Sequence, residues 1–372
     1  MKLNFFFQRK IVSISECINL NIYHVFENES FEMPLLKDIE SKEYSSIFPY
    51  IANVPSYNTY SLKEGKCILG DERIFTKEGF VLKEITSQSD VPTYKKDIFS
   101  FLSCKRIPGK VLTLSLSGLE NNYYHFNVEF LGRYFIFINS MLEYDKIIFP
   151  RNTKFQIDFI DLLGINQHKI IDLPEGTAII ADELIFTDLI NNWSIHEYKK
   201  GYKSYVKQYC PKWFSRMYKE LILNRKKIQN SCNKIYKKVY ISRQKARYRK
   251  ISNEHELVSL LKKYDFSILY LEDLNVGEQV NIFRYVEIVI APHGAGLVNI
   301  SYSQNLVKVL EIFSEHYHDP SFRIQALIMG HEYYFCVGKT TDIKYSPPHQ
   351  ENIFVDPSII ERWIKAITSV DC

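Results

Sequence analysis

The sequence contains no apolar run that approaches the ~20 residues needed to span a bilayer. Its seven cysteines are scattered and none forms a C-x-x-C pair, which argues against a disulfide framework or a zinc site and favours reduced thiols. No two of its 14 glycines flank a serine as G-x-S-x-G, the turn that carries the nucleophile of an α/β-hydrolase. The sequence has 372 residues, of which 46% are hydrophobic and 24% are charged. This length and composition are typical of a globular protein with two domains.

The most informative stretch is an apolar, β-branched run that ends in a glycine-bearing turn, residues 289–299. Gly294 and Gly296 are predicted to leave the backbone free to adopt positive φ and to approach a ligand closely. The N–H groups of this turn, which includes Ala295, and of a helix starting near Gly296 favour an anion such as a phosphate. His293 adds a side chain that donates a hydrogen bond or titrates near neutrality. Considered alone, the stretch is equally consistent with an ordinary strand-to-helix turn.

The second half of the sequence alternates strand and helix patterns, which predicts a parallel sheet with helices on its faces. The predicted strands are 238–242, 266–271, 287–291, 306–313 and 333–337. The predicted helices are 253–264, 275–285, one that opens at Asp319-Pro320, and a closing helix at 356–367. Asn253 with Glu256 and Asn275 with Glu278 have the spacing of capping boxes for the first two helices.

The first half gives a second α/β series. The predicted elements are strands at 111–116 and 144–149, a long apolar helix at 121–142, a helix at 153–163 that Gly164 ends, and strands near 168–171 and 177–180. Residues 194–238 lack strand patterns and look helical. The fold class is therefore α/β with two Rossmann-like domains: an N-terminal domain at 1–210, a basic helical bridge at 211–236, a C-terminal domain at 237–350, and a closing helix at 351–372 that is predicted to cross back to the first domain.

Charged residues follow two strands of the second half, at the strand ends where open α/β sheets bind ligands. Arg243, Arg247 and Arg249 come after the first strand, and Arg243 and Arg247 have the spacing to share one helix-like face. Two guanidiniums there suit bidentate recognition of a diphosphate. Glu311, in the fourth strand, is expected to accept hydrogen bonds from ribose hydroxyls, although an edge-exposed strand acid explains it equally well. With the glycine turn, these residues predict a pocket for a nucleoside diphosphate.

Two titratable residues of the first half, His125 and Glu129, lie four positions apart on the apolar helix. Both therefore project from one face, which is costly unless they line a cleft or pair with each other. Glu129 could serve as a general base toward a sugar hydroxyl, with His125 orienting it or contacting phosphate. The alternative is a buried pair that only bridges two elements.

Basic residues recur every few positions between Lys199 and Lys250, and Glu220 is the only acid among them. A solvated surface, an anionic membrane surface or lipid-pyrophosphate acceptor, and nucleic acid are the three interpretations of such a run. No nucleic-acid-binding motif accompanies the charge, so nucleic acid is not the expected partner.

Taken together, the residues resemble glycosyltransferase family 61 from about residue 110 to 337. The matching stretches, in the family's order, are Asn122-x-x-His125-x-x-x-Glu129, Tyr240-Ile241-Ser242-Arg243-x-x-Ala246-Arg247, Asn253-Glu254-x-Glu256-Leu257, Glu278-Gln279, His293-Gly294-Ala295-Gly296-Leu297-x-Asn299 and Val309-Leu310-Glu311-Ile312. Each stretch alone is a weak signal, and the combination is specific.

The resemblance implies a GT-B fold, in which two Rossmann-like domains face each other across a cleft. The N-terminal domain, 1–210, would bind the acceptor, and the C-terminal domain, 237–350, would bind the nucleotide sugar. The implied reaction is an inverting transfer from a nucleotide sugar, usually a UDP-sugar, to a hydroxyl of a glycan or lipid-linked acceptor. Glu129 would be the base, with His125 beside it. The nucleotide-binding residues would be Arg243, Arg247, His293, Gly294, Ala295, Gly296 and Glu311. Asn122, Ser242, Gln279 and Asn299 would support the site. No cofactor and no metal ion are expected.

The chain carries no D-x-D, the acid pair that holds the metal ion of GT-A transferases. The family's eukaryotic members usually carry an N-terminal signal or anchor, and the sequence predicts neither here. The expectation is therefore a bacterial-type cytoplasmic enzyme of capsule or lipopolysaccharide assembly, peripheral at the inner face of the membrane. A non-catalytic nucleotide- or glycan-binding module and an α/β-type hydrolase remain the alternatives.

Overall fold

The computed structural model describes residues 11–32, 37–39, 51–85, 104–191, 196–199, 202–205, 210–225, 235–341 and 348–368. The chain divides into two compact units. The first consists of Met1–Ser30 and Asn53–Ile195, and the second of Phe31–Ala52 and His196–Cys372. The division thus falls after Ile195 rather than at the expected residue 210, and a short N-terminal segment belongs to the second unit.

The first unit is built on a mixed sheet. The first twelve strands in chain order are β1 (Ile11–Val12), β2 (Leu20–Phe26), β3 (Glu29–Glu32), β4 (Lys37–Asp38), β5 (Ile51–Val54), β6 (Tyr57–Lys63), β7 (Lys66–Ile68), β8 (Ile74–Phe75), β9 (Val81–Leu82), β10 (Lys105–Thr113), β11 (Lys146–Ile148) and β12 (Ala178–Thr187). Nine of them form one sheet with the order β1-β9-β8-β7-β12-β10-β11, where β6 also pairs with β12 and β2 with β6. Within it, β10 is parallel to both β11 and β12, and β12 is antiparallel to β6 and β7. The predicted parallel sheet is therefore confirmed for β10, β11 and β12 at the centre of this unit. It is wrong for β6 and β7, which run antiparallel to β12.

Two helices cover the parallel centre. The first, α1, runs through Tyr123–His125, a π-helical turn at Phe126–Phe130, and Leu131–Asn139. It ends earlier than the predicted residue 142 because Asn139 Nδ2 and Ser140 Oγ donate to the carbonyls of Phe135 and Phe137, which terminates the ladder.

The second helix, α2 (Lys154–Leu163), ends at the left-handed Gly164 as predicted. The strand predicted at 168–171 is wrong. Asn166 caps a 3-10 turn there, Gln167–Lys169, by accepting from the N–H of His168 at 3.0 Å.

The second unit contains a six-stranded sheet in which all strands are parallel. Its strands and those of two small hairpins are β13 (His196–Lys199), β14 (Tyr202–Tyr205), β15 (Lys238–Ile241), β16 (Ser267–Leu269), β17 (Ile288–Pro292), β18 (Lys308–Phe313), β19 (Glu332–Val337), β20 (Lys339–Thr340) and β21 (Ile353–Phe354). The sheet order is β16-β15-β17-β18-β19-β4, with the short β4 at one edge. The order reverses between β15 and β17, which is the point where a doubly wound sheet binds its ligand. The second unit is thus Rossmann-like, as the sequence predicts.

Five helices accompany this sheet. They are α3 (Phe214–Tyr218, continued by a π-helical turn at Lys219–Leu223), α4 (Glu254–Lys263), α5 (Val276–Phe283), α6 (Ser321–Ile328) and α7 (Pro357–Thr368). The apolar face of α7, with Ile360, Trp363 and Ile364, packs in one buried cluster with α4 and the strands of this sheet. The prediction that the closing helix crosses back to the first domain is therefore wrong for its apolar face.

The expected helical bridge is only partly helical. His196–Lys199 and Tyr202–Tyr205 form the antiparallel pair β13–β14, so the prediction of no strand in this part of the chain is wrong, while α3 agrees with the helical prediction. Residues 226–234 of the predicted bridge lie outside the described part of the chain. Within the described ranges, none of the helices combines the length and the apolar content that crossing a membrane requires.

Candidate functional site

The glycine turn follows β17 and lies at the reversal point of the second sheet. Gly294 has φ 171°, an extended conformation open to any residue, and the segment after it is a 3-10 helix, Ala295–Tyr302. The predicted helix is therefore present, as a 3-10 helix that begins at Ala295, whereas neither Gly294 nor Gly296 has the positive φ of the left-handed region. Glycine is needed at both positions because a side chain would not fit there. A Cβ on Gly294 would lie 1.9 Å from Nη1 of Arg243, and one on Gly296 would lie 2.7 Å from Leu271 Cδ1.

Two arginines from the loop after β15 reach this turn. Arg243 donates from Nε and Nη2 to the carbonyl of Tyr248, at 3.2 and 3.0 Å, and its Nη1 lies against Gly294. Arg249 donates from Nε to the carbonyl of His293, at 2.8 Å, and from Nη1 to the carbonyl of His349, at 2.5 Å. These four hydrogen bonds of the two guanidiniums go to backbone carbonyls.

The two charges are close enough to affect each other. Burial, and then the charge of Arg249, lower the pKa of Arg243 from its ordinary value to about 10, so Arg243 stays protonated at neutral pH. A pair of like charges in a partly buried site is stabilised by an anion between or beside them. This arrangement of two guanidiniums is consistent with the predicted anion site at the turn.

Arg247 is placed differently from the expectation. Residues 242–250 form no helix, so Arg243 and Arg247 do not share a helical face. Arg247 is exposed, and its guanidinium lies 5.1 Å from the centre of the neighbouring Tyr248 ring. Arg249, which has the left-handed φ of 56°, occupies the place by the turn that was expected for Arg247.

His293, at the start of the turn, is hydrogen-bonded to Glu311 of β18. His293 Nδ1 lies 2.5 Å from Glu311 Oε1, and Tyr333 donates its hydroxyl to Glu311 Oε2 at 2.5 Å. Glu311 is fully buried, and His293 keeps 8% of its side chain exposed. Glu311 therefore supports His293 from below, and its two oxygens are already engaged, so the expected contact with ribose is not what this geometry provides.

Burial acts on both members of this pair. It lowers the pKa of His293, and the charges of Arg249 and Arg243 lower it further. It raises the pKa of Glu311, against the lowering effect of the Tyr333 hydrogen bond. Both shifts disfavour a net charge in the buried pair.

The supporting residues of the prediction fix the backbone around the turn. Ser242 Oγ donates to Glu254 Oε1 at 2.9 Å, which ties the loop after β15 to the first turn of α4. Asn299 Nδ2 donates to Gln279 Oε1 at 2.8 Å, and Gln279 Nε2 donates to the carbonyl of Leu271 at 3.1 Å. The pair joins the 3-10 helix to α5 and holds Leu271 where it packs against Gly296.

In the first unit, His125 and Glu129 contact each other as the spacing predicts. Nδ1 of His125 lies 2.5 Å from Oε1 of Glu129, which is buried, while His125 keeps 19% of its side chain exposed. Glu129 lies in the π-helical turn of α1, and such turns are frequent at functional sites. Asn122 caps α1 by accepting from the N–H of Tyr124 at 2.9 Å.

Arg133 belongs to the same region, and the sequence analysis did not single it out. It is buried one helical turn after Glu129 and donates to the Ser115 carbonyl at 2.7 Å and to the Thr187 hydroxyl at 3.2 Å. Burial lowers its pKa to about 10, which nearby carboxylates oppose; they are Glu72, Glu120, Asp188 and Glu129. A cation four positions after an acid on an apolar helix was the signal that could have found it.

Among the described residues of the basic run, several cations already have acidic partners. Lys237 pairs with Glu287 at 2.9 Å, and Lys245 Nζ lies 2.5 Å from Asp273. These pairs favour a solvated surface over a membrane-binding one. In the described ranges, no group of three or more His, Cys, Asp or Glu side chains is placed to hold a metal ion.

The second unit thus has a doubly wound parallel sheet with a glycine turn and two arginines at its reversal point. The family model for Glycosyltransferase 61 matches residues 123–310, just over half of the chain, and includes both the His125–Glu129 pair and the glycine turn. The chain therefore belongs to this glycosyltransferase family, whose members act on a sugar donor and an acceptor. None of the curated proteins matches it.

His331 gives the second unit a titratable support near the site. Its Nε2 lies 2.9 Å from the carbonyl of Ile300, in the 3-10 helix, and its Nδ1 accepts from the N–H of Val307 at 3.3 Å. Both bonds need the neutral ring with the proton on Nε2. Burial accordingly lowers the pKa of His331.

Acid is expected to weaken the second unit through this histidine. A pKa that is lower in the folded state means that stability is present above about pH 6.5 and is lost as the pH falls, by up to ~1.4 kcal/mol per pH unit for one histidine. Urea unfolding between pH 7.5 and 5.5 measures the slope. His331→Gln keeps a donor and an acceptor without titrating and should have a shallower slope, whereas the exposed His255→Gln should match the parent; equal slopes in all three proteins would contradict the prediction.

Proposed function

We propose that the protein is an inverting glycosyltransferase that moves a sugar from a nucleotide sugar, with UDP as the expected carrier, to a hydroxyl of a glycan or lipid-linked glycan. The observation that carries the donor half is the pair Arg243 and Arg249 at the reversal point of the second sheet, where Gly294 admits the guanidinium. Two guanidiniums close together suit a leaving diphosphate, which gains negative charge as the bond to the sugar breaks.

The acceptor half of the proposal rests on Glu129. In a single displacement the acceptor oxygen forms a bond to the anomeric carbon while the bond from that carbon to the diphosphate oxygen breaks. The hydroxyl proton passes to a base, and Glu129, with His125 at 2.5 Å, is the carboxylate that the family resemblance puts in this role. The diphosphate leaves with the electron pair, and its charge is stabilised by Arg243, Arg249 and the side-chain Nε2–H of His293.

The first unit also contains a cavity of about 600 Å³, whose lining residues do not include His125 or Glu129. Ser115, Glu120, Asn152, Ile157 and Glu175 are among its lining residues, so carboxylate, amide and apolar groups are combined there. Asn152 Nδ2 donates to Glu175 Oε1 at 2.7 Å, which fixes two of these polar groups in place. Such a mixture of apolar walls and a few oriented polar groups is typical of sites for small polar ligands.

The donor half is tested by the ability of nucleotides to stabilise the protein. UDP at 100 times its dissociation constant should add ~2.7 kcal/mol and raise the melting temperature, UMP should do so much less, and uridine not at all. ADP and GDP in the same series test the choice of base. If UDP stabilised the protein no more than uridine, the diphosphate site would be refuted.

The stereochemistry and the biological context of the proposal rest on the family resemblance. With a suitable donor and acceptor, the anomeric configuration of the product measured by NMR should be opposite to that of the donor. Retention would exclude a single displacement. A role in capsule or lipopolysaccharide assembly at the cytoplasmic face is the context we propose for the reaction.

A further inference from the structure

Tyr333, Glu311 and His293 form a continuous hydrogen-bonded chain across three adjacent elements, β19, β18 and the turn after β17. The two links are 2.5 Å each, and both run to the same carboxyl group. Glu311 is fully buried and His293 is nearly so, whereas Tyr333 is only partly buried. We call these three side chains the relay.

The chemistry of the relay determines which nitrogen of His293 carries a proton. Tyr333 donates to Oε2, so the proton between Glu311 and His293 lies on Oε1 or on Nδ1. A neutral pair then has two forms: a protonated Glu311 with a neutral ring, or a carboxylate with an imidazolium. In both forms Nε2 carries a proton. The third form, a carboxylate beside a neutral ring protonated on Nδ1, leaves a net negative charge on a fully buried group.

The surroundings of His293 prevent the ring from turning over. Phe313 stacks on it with 5.4 Å between the centroids, while Tyr317 and Phe322 contact it at 5.3 and 5.4 Å. Because rings enclose the imidazole, Nδ1 and Nε2 cannot exchange places without repacking. The charged and titratable groups that face the relay from the surrounding elements are Arg243, Arg249, Tyr317, His318, Asp319 and Arg323.

From this geometry we infer that Tyr333 and Glu311 are positioning residues that keep a proton on Nε2 of His293, so that His293 acts as a hydrogen-bond donor to an anion and not as a base. The use of that donor toward a diphosphate rests on the proposed function. The protonation of His293 itself does not, because it follows from the buried chain alone.

NMR of protein labelled with ¹⁵N-histidine tests the protonation directly. His293, identified by the signals missing in His293→Gln, should show a protonated Nε2 at every pH from 5.5 to 8.5. An unprotonated Nε2, or an ordinary titration with a midpoint near 6.5, would overturn the relay whatever the protein does with nucleotides.

The matched pair Tyr333→Phe and Tyr334→Phe tests the positioning role. Both tyrosines lie on β19 and donate to a glutamate, but Tyr334 donates to Glu332 at 2.6 Å and not to Glu311. Calorimetry with inorganic pyrophosphate should show a three- to tenfold loss of affinity for Tyr333→Phe and less than a twofold change for Tyr334→Phe. Equal losses of affinity in the two variants would contradict the inference.

Two substitutions of Glu311 separate the hydrogen bond from the charge. In Glu311→Gln, the amide oxygen accepts from Tyr333 and the NH₂ donates to Nδ1, so Nε2 keeps its proton and pyrophosphate affinity should stay within threefold. Glu311→Leu removes both bonds and should lose at least tenfold, with the melting temperature checked for both variants. If Gln and Leu were equally damaging, the relay would be wrong. A protonated Nε2 together with unchanged affinity in Tyr333→Phe would refute the proposed diphosphate contact and leave the relay standing.

Discussion

Replacing Glu129 by Gln is expected to lower the rate of sugar transfer by a factor of about 10² to 10⁴ and to leave nucleotide affinity within about twofold. Gln has the shape of Glu and can still contact His125 Nδ1, which lies 2.5 Å from Glu129 Oε1, but it cannot accept a proton from the acceptor. The proposed nucleotide contacts all come from residues of the second unit, so binding should not depend on this side chain. Steady-state rates with saturating donor, and calorimetry with UDP, measure the two quantities separately.

A matched control for this substitution is Glu143→Gln, which changes an exposed glutamate of the same unit. It should transfer sugar at the parent rate. His125→Ala should fall between the two, because it removes the contact that orients Glu129 and leaves the carboxylate itself in place. A Glu129→Gln enzyme as fast as the parent would show that another group takes the proton, and would favour a bridging role for the pair.

Sequence patterns predicted the fold well where all the residues of a pattern interact within one short segment of the backbone. The capping box of Asn275 and Glu278 forms in both directions, at 2.9 and 2.8 Å, because both partners lie within the first turn of α5. The same pattern at Asn253 and Glu256 fails as a reciprocal box. Asn253 instead exchanges hydrogen bonds with the backbone of Val355, 102 residues away, and no local pattern indicates such a partner.

The candidate site shows the same limit. The sequence identified the turn at Gly294 and the arginines before it, because strand ends and glycines are local features. It assigned the glycines to positive φ, whereas their purpose is to make room for Arg243 and Leu271. It preferred Arg247 to Arg249 on helical spacing, and the loop forms no helix. These choices depend on contacts between segments that are distant in the sequence, which spacing alone does not determine.

Glu311 illustrates how burial changes a role that the residue type suggests. An acid within an apolar strand is compatible with a ribose ligand, and the type and position agree with that hypothesis. The structure gives both of its oxygens to His293 and Tyr333. Tyr333 is on the next strand in the sheet, so the partner became identifiable only once the parallel register of β18 and β19 was known.

Gly294→Ala is expected to weaken nucleoside diphosphate binding by roughly 10- to 100-fold, which corresponds to about 1.5–3 kcal/mol for hydrogen bonds to a charged group. The added methyl would lie 1.9 Å from Nη1 of Arg243. Since that atom is the end of a flexible side chain and the backbone of Gly294 is extended, the guanidinium should move and the fold should remain. Gly277→Ala, whose new Cβ would meet only Asn275 Oδ1 at 3.3 Å, is the matched control and should bind UDP as the parent does.

A double-mutant cycle identifies the route by which this glycine acts. If Gly294→Ala works by displacing Arg243, then Arg243→Ala should be about as damaging, and the two substitutions together should be no worse than Arg243→Ala alone. Calorimetry with UDP on the three variants gives the coupling energy. Additive losses would mean that the methyl group obstructs the diphosphate itself. Additivity would therefore refute the assignment of Gly294 as the space for a guanidinium and leave close approach of the ligand as its reason.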